Sequence, residues 1–141
     1  MGRAETYGDR ALWERIVYKT LYKAQTIRAC VRPGDRSDPE KTPLQWLPLN
    51  TSLPVRFLAR PGVQDAGIAA IFTEDDGTTV VIKRRIVKPI GELTAEDLAG
   101  GAPDTATPEL VRFHIGLHAN CPLPPLTAVV TVYHFEYVDP T

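Results

Sequence analysis

The sequence predicts an α+β fold: a mixed sheet or small β-barrel with an N-terminal amphipathic helix and short helices at its rim. Three observations predict it. Apolar residues near the N-terminus recur with a helical period, several later runs alternate with a period of two, and two short segments late in the chain carry helix-start signals. The 141 residues, 43% of them hydrophobic, match one domain of common size, spanning 1–141.

Each element can be justified in order. Residues 1–8 read as a flexible tail. Asp9 then caps a helix whose apolar positions Leu12, Trp13, Ile16, Val17 and Leu21 follow the helical period. On that count Lys23, seven residues beyond Ile16, returns to the inward side and marks the edge of a cleft. From Thr26 to Arg32 the pattern alternates, with Ile27, Ala29 and Val31 on one face and Thr26, Arg28, Cys30 and Arg32 on the other. Residues 33–43 read as a polar, mobile loop.

Three runs then read as strands: Leu53 to Arg60, Gly67 to Glu74 and Thr78 to Ile90, the last two joined in a hairpin by Asp75-Asp76-Gly77. Thr94-Ala-Glu-Asp97 starts a short helix with a capping residue and first-turn acids, and Thr107-Pro108-Glu109 starts another with Pro at its first position. A Pro-rich link, Cys121-Pro-Leu-Pro-Pro-Leu126, leads to a last strand, Ala128 to Val138.

Charge and composition narrow the function classes. Residues 1–36 hold eight Lys and Arg against four Asp and Glu, a balance of +4, which leaves −5 for the remainder within a net charge of −1. A basic N-terminal third suits phosphates, while a pI near 6.3 argues against a dedicated high-affinity DNA binder. No apolar run is long enough for a membrane span and the first residues lack a signal-peptide core, so the expectation is a soluble, cytoplasmic protein without a membrane partner. Cys30 and Cys121 form no CxxC pair and need no disulfide.

Several groups are candidates for chemistry. Lys23-Ala-Gln-Thr26-Ile-Arg28 sets an amine, a hydroxyl and a guanidinium where a helix hands over to a strand, a spacing that aims all three into one cleft. Arg32 follows on the polar strand face, and Trp46 stands beside the loop as either a core lid or a stacking platform for a base. In Lys83-Arg84-Arg85 and Lys88, alternation puts Arg84 and Lys88 on one face and Lys83 and Arg85 on the other, with Arg84 a backbone contact for nucleic acid. His114 and His118 are one turn apart, but the Glu of an HExxH site is missing, so neither a metal nor any other cofactor is expected.

The ordered set resembles the ASCH domains, a branch of the PUA-like β-barrel superfamily. The resemblance is carried by Lys23-Ala-Gln-Thr26-Ile-Arg28, Leu53-Pro-Val-Arg-Phe-Leu58, the basic strand running into Ile86-Val-Lys-Pro-Ile-Gly-Glu-Leu-Thr-Ala-Glu-Asp-Leu98, and the strand carrying Phe135-Glu136. It implies a closed or nearly closed barrel whose cleft, built around Lys23, Thr26 and Arg28, recognises RNA or a modified nucleoside or nucleotide. One branch removes the acyl group from acetylated cytidine with a Thr nucleophile, a Lys base and a Glu. By motif Thr26 and Lys23 match the first two, and Pro103 or Asp104 stands where the Glu is expected, which makes Asp104 the candidate carboxylate. An amidohydrolase or a ribonuclease is therefore the enzymatic alternative to RNA recognition. For acyl transfer Lys23 would have to lose its proton far below about 10.4, with Arg28 as the neighbouring cation.

Overall fold

The structure is a computed structural model, and it describes residues 11–15, 18–41, 46–58, 72–74, 78–119 and 123–138. The strands are β1 (Leu12–Arg15), β2 (Ala29–Pro33), β3 (Ser52–Leu58), β4 (Phe72–Glu74), β5 (Thr79–Pro89) and β6 (Val129–Tyr137). The helices are α1 (Lys19–Lys23), α2 (Ala95–Leu98) and α3 (Pro108–Ala119), with 3-10 turns at Ile90–Glu92 and Pro103–Thr105. The sheet runs β1-β3-β5-β6-β2, and β4 pairs with β3. Among the described residues β1 and β3 run parallel and the other pairs antiparallel, so the sheet is mixed and the fold is α+β.

Among the described residues no ladder joins β1 to β2, so the closed barrel is corrected to an open sheet. Its two ends still meet through side chains, because Glu14 on β1 and Arg32 on β2 form an ion pair.

Two further expectations change. The helix expected from Asp9 through Leu21 is replaced among the described residues: Leu12–Arg15 is a strand, and Lys19–Lys23 is helical. The Leu12 and Ile16 spacing suits a helix, but pairing of Leu12–Arg15 with Val55–Leu58 outweighs that local preference. The hairpin between the runs ending at Glu74 and beginning at Thr78 is also replaced. Among the described residues β4 and β5 pair with β3 and not with each other; Phe57 faces Glu74 and Pro54 faces Thr79, so three steps along β3 match five along its partners. The two strands thus follow one another along β3, and Asp75-Asp76-Gly77, like 59–71, Cys121 and residues 1–10, lies outside the described residues.

The helix-start signals act as read. Thr94 and Asp97 form a reciprocal capping box at α2, and the Thr107 hydroxyl accepts from the Leu110 N–H (3.2 Å) at the start of α3.

The sheet carries a core on each face. On the inner face Cys30, Leu53, Val55, Val80, Ile82, Tyr133 and Phe135 pack with Tyr22 of α1. On the outer face Val31, Ile86, Val130 and Val132 pack with Leu98, Val111 and Ile115 from the helices. A bulge in β5 divides the two. Ile82 faces Phe135 and Arg84 faces His134, so Lys83 is an extra residue. Strict alternation would put Val80, Ile82 and Ile86 on one face; the bulge sends Ile86 to the outer core and turns Arg85 inward beside Tyr133.

Candidate functional site: a sheet seam and a basic bulge

The seam between β1 and β2 is a small cleft lined by Glu14, Tyr18, Cys30, Arg32, Asp104 and His114 among others, with room for about one water molecule. Its polar groups are bonded in two sets. Glu14, 8% exposed, accepts from the Tyr22 hydroxyl at 2.6 Å and from Arg32 Nη2 at 3.3 Å. Asp104 accepts from the Tyr18 hydroxyl and lies 3.6 Å from Nδ1 of the buried His114.

Burial dominates the titration of the first set. It pushes the Tyr22 phenol well above its ordinary value, and the Glu14 carboxylate adds to the rise. Burial also pushes the Cys30 thiol up to about 11, with Arg32 opposing. Burial alone would lower the Arg32 pKa, but Cys30, Glu14 and Tyr22 reverse this and raise it. A thiol held neutral in this way is a poor nucleophile, so the seam is built for cohesion.

The predicted site residues divide between places. Arg32 and Asp104 line the seam. Lys23, Thr26 and Arg28 are exposed on the α1–β2 connection and are not among the seam's lining residues. The helical count that turned Lys23 inward assumed an unbroken helix from Asp9; α1 begins at Lys19, and Tyr22 is the residue it buries. The Thr26 hydroxyl has no hydrogen-bond partner among the described residues, so no base contact to it is formed.

The connection is fixed by its backbone. Gln25 adopts φ 59°, with its N–H on the Tyr22 carbonyl (2.9 Å) and the Thr26 N–H on the Leu21 carbonyl (2.9 Å), a Schellman arrangement that ends α1. The Arg28 and Ala29 N–H groups both donate to the Gly100 carbonyl, at 2.6 and 3.2 Å. Arg28 Nε reaches back to the Gln25 carbonyl at 3.4 Å.

The register then aligns a second basic element with Arg28. The Phe135 N–H donates to the Arg28 carbonyl at 3.0 Å, Ala29 faces His134, and His134 faces Arg84. Arg28 and the Lys83-Arg84 bulge are therefore level, two strands apart, with backbones about 10 Å from each other. Lys83 and Arg84 are both exposed and have no hydrogen-bond or ion-pair partner among the described residues. Lys88, on the face of Arg84, is instead bound to Asp97 at 2.7 Å. Sequence alternation split the basic run evenly; the bulge is what exposes two consecutive cations.

Trp46 is half-buried, with the Arg85 guanidinium 5.6 Å from its ring centre. Asp97 is committed to the capping box and Lys88. Among the described residues no three or more His, Cys, Asp or Glu side chains group as a metal site, and no helix is long and apolar enough to cross a membrane.

No protein-family model matches the chain, and no curated protein matches it. Solved structures do. A protein from Enterococcus faecalis in the family model DUF984 has a TM-score of 0.57 at 13% identity, covering 92% of this chain and 80% of its own. An ASCH domain from Lactobacillus crispatus has a TM-score of 0.55 at 9% identity, covering 96% of this chain and 84% of its own. With a mixed sheet, an inner core sealed by α1 and short helices on the outer face, the chain has an ASCH-like fold.

Proposed function

We propose that this is a nucleic-acid-recognising domain, binding RNA or a modified nucleotide through its phosphates, with the exposed cations Lys83 and Arg84 of the β5 bulge and Arg28, level with them, as the contacts. The observation that carries the reading is the bulge in β5, which exposes Lys83 and Arg84 together on a rigid sheet; the register sets Arg28 level with them, with Ala29 on the face of His134 and Arg84. Cations on fixed backbone lose little freedom when they meet a phosphate chain. The likeness to an ASCH domain structure supports the same reading.

Acyl hydrolysis draws less support. Thr26 has no base hydrogen-bonded to it, and Asp104 is engaged by Tyr18 at the seam. Thr26 then acts as a ligand contact worth about 1 kcal/mol.

Titration of short single-stranded RNA at several salt concentrations tests the reading. Each phosphate contact contributes about 0.7 to the slope of log affinity against log salt. Arg28→Ala, Lys83→Ala and Arg84→Ala should each weaken binding and flatten the slope. Affinity that survives all three unchanged sinks it, and Thr26-dependent release of acetate from acetylcytidine would favour the hydrolase instead.

A further inference from the structure

We propose, resting on the reading of Lys83 and Arg84 as phosphate contacts, that His134 is a further phosphate-binding residue beside them, and that its imidazole takes up a proton from solvent as RNA binds, so that the site tightens as the pH falls. His134 stands on β6 directly across from Arg84 on one side and from Ala29 on the other. Direct cross-strand partners hold their Cβ atoms about 5 Å apart on one face of a sheet. One phosphate can therefore meet the guanidinium and the imidazole together.

The ring is already oriented. Its Nε2 lies 2.8 Å from the Asp97 carbonyl oxygen. A carbonyl only accepts, so the proton of the neutral ring sits on Nε2 and Nδ1 keeps a lone pair. Nδ1 has no hydrogen-bond partner among the described residues and is not one of their buried polar atoms left unpaired, so this nitrogen of a half-buried side chain is open to solvent. In the neutral ring it offers a phosphate only a lone pair, which an anion cannot use. Protonated, it becomes a charge-assisted donor next to Arg84.

The charges around the ring set the sign of the coupling. On β5, Arg84 and Lys83 oppose a further positive charge, and on β6 Glu136, exposed two residues along the same face, favours it. On α2 the Asp97 carboxylate is taken up by Lys88 at 2.7 Å and by the Thr94 N–H at 2.9 Å, which leaves its carbonyl as the group it offers the ring. On β2, Ala29 brings no charge, and the Arg28 ahead of it turns its Nε to the Gln25 carbonyl. A phosphate entering beside Arg84 offsets the repulsion from the two cations, so RNA raises the proton affinity of His134 and, by the same coupling, a proton raises the affinity for RNA. Imidazoles are the side chains that ordinarily change charge between about pH 5 and 8.

The test titrates an oligouridylate, whose bases do not change charge in this range, into the intact chain at about pH 5.5 and about pH 8 and at several salt concentrations. Binding about fivefold or more tighter at the lower pH is expected, with the added phosphate contact steepening the salt slope by about 0.7. His134→Gln, whose amide can still donate to the Asp97 carbonyl but carries no charge, should lose both changes. The imidazole nitrogen resonances of the wild type give a reading that needs no variant: the neutral ring should carry its proton on Nε2, and the Nδ1 resonance should move toward the protonated position when RNA is added near neutral pH. RNA bound with equal affinity and equal slope at both pH values overturns the proposal and leaves the RNA reading standing; no RNA binding at either pH removes both. A pH dependence that persists in His134→Gln overturns it, and its loss in Glu136→Gln then assigns the effect to that carboxylate. A neutral ring protonated on Nδ1 overturns it as well.

Discussion

Arg32 Nη2 lies 3.3 Å from Glu14 Oε2, and this ion pair joins β2 to β1, the two ends of the sheet. A barrel closed by a backbone ladder would need no such pair. Here the closure is a buried charge network completed by the Tyr22 hydroxyl. Removing one member of such a pair strands the other, so Glu14→Ala should cost about 3 kcal/mol in urea unfolding. Replacing both charges, as in Glu14→Leu with Arg32→Met, should recover most of that loss. A single variant as stable as the wild type would show that the seam does not depend on the pair.

Cys30 gives a pH signature. Its folded pKa of about 11 lies above the unfolded value of about 8.5, so the folded state holds the proton more tightly. The stability this supplies is complete below about pH 8.5 and is lost as the pH rises through about 11. The folded thiol should resist a disulfide reagent at pH 8, reacting at the rate of unfolding; prompt labelling would contradict its burial.

The backbone of the α1–β2 connection predicts two substitutions of opposite sign. Gln25 pays for a left-handed conformation that suits glycine, so Gln25→Gly should stabilise by about 0.5 to 1 kcal/mol. Gly100 has φ +83°, and a Cβ there would stand 3.3 Å from Arg28 Cβ. Gly100→Ala should therefore destabilise by about 1 to 2 kcal/mol and displace Arg28. Thermal unfolding measures both, and RNA affinity reports the displacement.

Asp97 predicts the acid limb. Burial pushes its carboxyl up, but the Lys88 ammonium and Thr94 outweigh this and hold it below its ordinary value. That contribution is present above the unfolded value of about 3.9 and is lost as the pH falls through the lower folded value. Asp97→Asn should lower stability at neutral pH by about 1 to 2 kcal/mol. The gap between wild type and variant should narrow below about pH 4; a constant gap would assign the loss to packing.

Local chemistry was legible in the sequence by itself. The Thr94 cap, the Pro108 helix start and the long alternating strands near Thr79–Pro89 and Val129–Tyr137 follow from residues within a few positions of each other. So does the α+β class. The N-terminal helix failed as a reading because Leu12–Arg15 takes its structure from β3, about forty residues away, and spacing within the segment carries no record of that partner. The placement of the candidate residues was decided by tertiary structure for the same reason. One extra residue at Lys83, visible only once β5 is laid against β6, exposes Lys83 and Arg84 together and turns Arg85 inward to Tyr133. Asp104, chosen as a partner for Thr26, is instead drawn to Tyr18 and His114, because the turn that carries it packs beside α3 at the seam. Periodicity fixes which residues share a face only while the register is unbroken; pairing energy between distant strands sets where it breaks.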